Sequence, residues 1–111
     1  GDGSAVRSYT HVDDMTDGIF RLMHSDLEGS VNIGCPQYVT VRELVDAVAE
    51  VAGKKISVKS IEGPVGVQSR NFSNDRIYSI GWKSKVSLKE GIERTYPWIL
   101  DQVKATSRSA K

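Results

Sequence analysis

GDGSAVRSYTHVDD (residues 1–14) is the stretch whose reading decides the fold. Glycine reaches positive φ without strain, so Gly1-Asp2-Gly3 reads as a tight turn. The alternating, β-prone run VRSYTHV then predicts a short strand. Asp13 or Asp14 follows in position to cap a helix by accepting its free N–H groups. Met15, Ile19, Leu22 and Met23 recur at helical spacing after it. Turn, strand and capped helix arrive within so few residues, with no leader before them, that the expectation is a piece of a larger α/β protein.

Further along, SVNIG (30–34) and KISVKSI (55–61) predict two more strands. TVRE (40–43) is a capping box, in which hydroxyl and carboxylate each satisfy the other's end of a first helical turn. The helix after it carries Val41, Leu44, Val45, Val48, Val51 and Ala52 on one face, and Gly53 stands where a left-handed terminus is wanted. Residues 62–75 form a long glycine- and proline-bearing loop, and DRIYSIGW (75–82) a short helix. SLKE (87–90) is a second capping box opening a helix striped by Leu88, Ile92, Tyr96, Ile99 and Val103, with a kink expected at Pro97. The fold class is therefore α/β: short strands with three to four helices. Apolar stripes on three helices exceed what such strands cover, so the chain is expected to self-associate. Residues 1–103 form the expected domain, and 104–111 a disordered basic tail.

The totals narrow the function. At 111 residues, 39% hydrophobic, 26% charged and a net charge of +1, the chain has the make-up of one ordinary globular domain. No basic stripe interleaved with aromatics suggests nucleic acid as a partner, and no apolar run approaches the roughly 18 residues that read as a membrane span. A single cysteine, Cys35, forms no internal disulfide and no cysteine-rich metal site; a cytoplasmic location is expected, with no metal.

A catalytic set is hard to assemble. His11 and His24 stand without a motif, and no HExxH, GxSxG or P-loop occurs. None of Tyr9, Tyr38, Tyr78 and Tyr96 has a lysine four residues later. Two arginines stand apart. Arg7 lies on the first strand, and Arg70 ends the long loop, followed by Asn71, Ser73, Asn74 and Asp75. A guanidinium grips phosphate with a planar fork of donors, so arginines converging from a strand and a loop suit a diphosphate.

Five landmarks in order carry a resemblance: GDGSAVRSYTHVDD, VNIG, TVRELVDAVAEVAG, RNFSND and IGWKSKVSLKEGIERTYPWI. Together they resemble the C-terminal, substrate-binding part of extended short-chain dehydrogenases that act as NAD-dependent nucleotide-sugar epimerases and dehydratases. Within that family, EGPVGVQSRNFSN and LKEGIERTYPWI are most similar to the GDP-mannose 3,5-epimerase branch; the 4,6-dehydratases, decarboxylases and 4-epimerases share most of the rest. A free-standing, non-enzymatic binding module is the rival reading. The resemblance implies a nucleoside-diphosphate sugar as substrate, and NAD(P) bound by an N-terminal Rossmann half absent from this chain. That half would be its structural partner, so the chain alone is expected to be inactive, with no catalytic or cofactor-binding residue of its own. Position by position, Arg7 and Arg70 match the family's diphosphate-facing arginines, with Asn71 and Asn74 assisting. Ala5-Val6 departs from the amide-bearing pair common before the strand arginine, which removes a hydrogen-bonding side chain there.

Overall fold

A computed structural model describes residues 1–64 and 66–109. The order is β1 (Val6–Ser8), α1 (Val12–Met23), β2 (Tyr38–Thr40), α2 (Val41–Ala52), α3 (Asp75–Tyr78) and α4 (Leu88–Ser109). β1 and β2 pair antiparallel, with Arg7 opposite Val39 and Ser8 opposite Tyr38. On β1's other edge Val6 makes a parallel bridge to Ser69, and its N–H donates to the Gln68 carbonyl at 2.8 Å. The short β1 is thus enclosed by β2 on one side and the end of the long loop on the other.

The core gathers where α1, α3 and the turn before α4 meet. Ile77 and Trp82 are fully buried, and Cys35 and Val86 are buried as well. Gly18 on α1 makes this possible: a Cβ there would stand 2.8 Å from Ile33 Cγ2 and 3.0 Å from Trp82 Nε1. Trp82 Nε1 donates to the Asp14 carbonyl at 2.9 Å, satisfying the indole as a buried donor requires. Elsewhere α2 packs on α4. The Thr40–Glu43 capping box forms, and Gly53 closes α2 at φ 64°.

Several expectations are corrected. Asp13 and Asp14 do not cap α1; His11 does, its Nδ1 accepting from the Asp13 N–H at 3.2 Å. Asp14 turns inward instead, 5% exposed, and accepts the backbone N–H groups of Lys85 and Val86, each at 2.9 Å. The expected strands at 30–34 and 55–61 carry no ladder. The second strand is Tyr38–Thr40, immediately before the capping box, where its partner β1 lies. The second capping box is half formed: Ser87 Oγ accepts from the Glu90 N–H, while the Glu90 carboxylate pairs with Arg94. α4 runs through Pro97 and on to Ser109. Residues 104–109, expected as disordered tail, are therefore helical: Thr106, Ser107 and Ser109 each bond the carbonyl four residues back. Residues 110 and 111 of that tail lie outside the described residues, as does Val65 of the loop. Among the described residues no helix is long and apolar enough to cross a membrane.

Candidate functional site

Arg7 and Arg70 sit on neighbouring extended segments. Val6 bridges Ser69 in parallel, and each arginine is the next residue on its own segment. The strand pairing thus brings the two sequence-predicted arginines to one edge, where Arg70 and Asn71 are exposed and Arg7 is half-buried.

Their guanidinium groups differ in occupancy. Arg7 Nη1 donates to the carbonyls of Val6 at 2.7 Å and Gln68 at 3.4 Å, and Nη2 to that of Val67 at 2.5 Å. Of the five N–H groups a guanidinium carries, at least two remain without a partner among the described residues. Arg7 therefore holds the end of the loop against β1 while keeping part of its fork open. Arg70 has no hydrogen bond or ion pair among the described residues; its whole fork is available.

The two asparagines separate. Asn71 is exposed, and its Oδ1 accepts from the Tyr38 hydroxyl at 3.2 Å. Asn74 is 7% exposed. Its Nδ2 donates to the Gly34 carbonyl at 2.7 Å and reaches the Tyr78 hydroxyl at 3.4 Å, while Oδ1 is buried with no partner among the described residues. The Asn74 amide N–H groups thus tie α3 to the segment before β2. Ser73 Oγ, rather than the Asn74 side chain, accepts the first free N–H of α3, from Asp75 at 3.1 Å.

Three residues without a predicted role complete the edge. Gln68 Nε2 donates to the Ser4 carbonyl and hydroxyl, both at 3.2 Å. Tyr38 OH accepts from the Phe72 N–H at 3.4 Å. Phe72 lies against Gly34, where a Cβ would come 2.3 Å from Phe72 Cζ. No sequence spacing signals these contacts, because each joins residues more than thirty positions apart.

Other regions suit other chemistry. The groove between α2 and α4, walled by Leu44, Val48, Ile92, Tyr96 and Ile99, is apolar and offers no fork for an anion. No group of three or more His, Cys, Asp or Glu that could hold a metal occurs among the described residues. A dinucleotide cradle does not fit either: the turn from β1 into α1 is Tyr9-Thr10-His11, with no glycine to admit a pyrophosphate against the backbone. Among the described residues three carboxylates are held below their ordinary range. Asp2 is lowered chiefly by the Ser4 hydroxyl and amide, Glu43 by the Thr40 amide and hydroxyl, and Glu50 by the Lys89 ammonium.

A small α/β fragment with a two-strand sheet and an arginine edge is the class of structure defined so far. The chain is homologous to the C-terminal part of NAD-dependent nucleotide-sugar enzymes of the short-chain dehydrogenase type. It is 39% identical over 104 residues to GDP-mannose 3,5-epimerase of Arabidopsis thaliana, covering 93% of this chain and 28% of that protein. GDP-L-fucose synthase 1 of the same plant is 40% identical over 106 residues, covering 93% and 32%. Among solved structures, UDP-glucose 4-epimerase of Thermotoga maritima with UDP-glucose superposes with a TM-score of 0.83 at 28% identity, over 93% of this chain and 34% of that one. Others of similar shape are a dTDP-glucose 4,6-dehydratase and a UDP-glucose 4-epimerase, both in complex with NAD. No family model matches the chain. The chain spans about a third or less of the length of these relatives.

Proposed function

We propose that this chain is the part of an NAD(P)-dependent nucleotide-sugar epimerase or dehydratase that grips the substrate's diphosphate. Arg70 is the principal donor fork, and Arg7 gives its remaining N–H groups from β1. Asn71 borders the same edge. Asn74 acts from beneath, tying α3 to the segment before β2. The observation that carries this reading is the guanidinium of Arg70, without a partner among the described residues and set beside Arg7 by the Val6–Ser69 bridge. The particular enzyme is one like GDP-mannose 3,5-epimerase, in keeping with the 39% identity over 104 residues.

In this reading NAD(P) belongs to a Rossmann half of the full-length enzyme; the β1–α1 turn of this chain, Tyr9-Thr10-His11, has no glycine to cradle it. Bound there, it would supply transient oxidation of the sugar. This chain's own contribution is to bind and orient, so it turns over nothing by itself. The exposed outer side of α1, with Val12, Ile19, Phe20 and Met23 between 46% and 75% exposed, is where that half would pack. Without it the chain self-associates through this face. We place the enzyme in the cytoplasm.

The test is nucleoside-diphosphate binding by the full-length gene product, measured by calorimetry. A charge-assisted contact contributes about 1.5–3 kcal/mol, so Arg70→Ala is expected to weaken GDP binding about 10- to 100-fold. Arg7→Ala should cost less, and part of its cost should appear as lost stability because it also frees the loop. Unchanged affinity in Arg70→Ala would overturn the diphosphate role. The same measurements with UDP and dTDP separate the epimerase reading from a 4,6-dehydratase or decarboxylase with another base. A gene product that binds none of the three is the free-standing module instead.

A further inference from the structure

We propose that Tyr38 is a positioning residue for Arg70: its hydroxyl fixes the backbone that follows the arginine and so holds the fork ready for an anion. The inference rests on the diphosphate reading of Arg70.

Arg70 is anchored from both directions along the chain. Before it, Ser69 bridges Val6, and the Gln68 carbonyl accepts the Val6 N–H. After it, Tyr38 anchors the two residues that follow directly, ahead of the Asn32–Ser73 and Asn74–Gly34 hydrogen bonds further on. A tyrosine hydroxyl can donate one hydrogen bond and accept others, and Tyr38 uses both capacities on consecutive residues. It donates to Asn71 Oδ1 at 3.2 Å and accepts from the Phe72 N–H at 3.4 Å. The two rings also meet, centroids 5.9 Å apart and inclined at 55°. Phe72 in turn is seated against Gly34. Tyr38 itself is fixed on β2, opposite Ser8, one residue from the partner of Arg7. One strand thus positions both arginines, Arg7 through the backbone ladder and Arg70 through a phenol.

The consequence is entropic. An exposed arginine loses rotamer and backbone freedom when it closes on a ligand, and fixing the backbone beforehand removes part of that loss. Without the hydroxyl, the Phe72 N–H has lost its acceptor and Asn71 its tether, and the residues after Arg70 loosen while the aromatic packing remains.

Tyr38→Phe in the full-length gene product keeps the ring and deletes only the hydroxyl. With GDP and UDP as probes, calorimetry is expected to show binding weakened about 2- to 10-fold, the range for a lost neutral hydrogen bond. The melting temperature should stay within about 4 °C of the parent. The decisive readout is the double-mutant cycle. Added to Arg70→Ala, Tyr38→Phe should weaken binding no further, because it acts through the arginine. If Tyr38→Phe binds like the parent while Arg70→Ala is weakened, the inference is overturned and the diphosphate reading stands. An equal loss in both backgrounds also overturns it. If Arg70→Ala binds like the parent, or the parent binds none of GDP, UDP and dTDP, both fail together.

Discussion

α1 and α2 are both twelve-residue amphipathic helices, and they have different fates. The apolar face of α2 meets α4, with Leu44 and Val45 half-buried and Val48 still 36% exposed along the groove between the two helices. α1 docks by a narrow edge. Gly18 lies under Trp82 and Ile33, Asp14 brackets the turn before α4, and Met15 and Leu22 are half-buried. Its opposite side shows Val12 at 64%, Phe20 at 62% and Met23 at 75% exposure. A helix normally places its apolar stripe inward and polar residues outward. α1 instead has its most specific contacts on a small and acidic edge and apolar residues facing out. Burial thus reaches one face of α1, while its apolar side stands exposed in this chain.

The largest effect should come from removing α1's covered edge. Asp14→Ala leaves the Lys85 and Val86 N–H groups without their acceptor at a buried turn. Hydrogen bonds to a charged group contribute about 1.5–3 kcal/mol each, so a loss of about 3 kcal/mol is expected in denaturant unfolding. A loss below about 1 kcal/mol would show that α1 is held by something else. The exposed side should behave oppositely in two settings. Met23→Lys in the 111-residue chain should change stability by less than about 0.5 kcal/mol, as an exposed substitution does, and should reduce self-association in light scattering. In the full-length gene product the same change should cost about 2 kcal/mol, because a charge then enters a packed interface. Equal effects in both settings would break the contrast between the two faces.

Local rules made part of this molecule legible. The capping box at Thr40 and the terminus at Gly53 are set by contacts within one turn, so sequence spacing predicts them. The positive φ of Gly3, 81°, likewise belongs to the turn in which it stands. Strand assignments failed where pairing decides. The run 55–61 alternates but has no ladder, while Tyr38–Thr40 is too short to read and forms because β1 lies alongside. At the candidate site the arginines were visible as residue types. That Arg7 spends donors on Val67 and Gln68, and that Asn74 is buried under Gly34, depends on loop closure over forty or more residues. Asp14 misled for the same reason: a carboxylate at a helix start is ordinarily a cap, and its true partners lie 71 and 72 positions away.

The smallest effect concerns how α2 is tied to α4 at the surface by an ion pair. Lys89 Nζ stands 2.7 Å from Glu50 Oε1, joining the last turn of α2 to the first turn of α4. The hydrogen bond and attraction between them lower the Glu50 carboxyl below its ordinary 4.5 and raise the Lys89 ammonium above its ordinary 10.5. For the depressed carboxyl, the contribution is complete above its unfolded value and fades as pH falls through the lower folded one. For the raised ammonium, it is complete below its unfolded value and fades as pH rises through the higher folded one. The pair therefore gives a plateau between these limits with a shoulder at each end. Both partners are exposed, so solvent and salt screen the contribution heavily. Melting temperature against pH should show Lys89→Met slightly below the parent on the plateau. The two curves should converge below pH 4.5 as Glu50 takes up its proton. At high salt the gap should close at every pH. A gap that persists in acid or in salt would mean that Lys89 supports α4 through its aliphatic stem, and the tie between the helices would then be packing rather than charge.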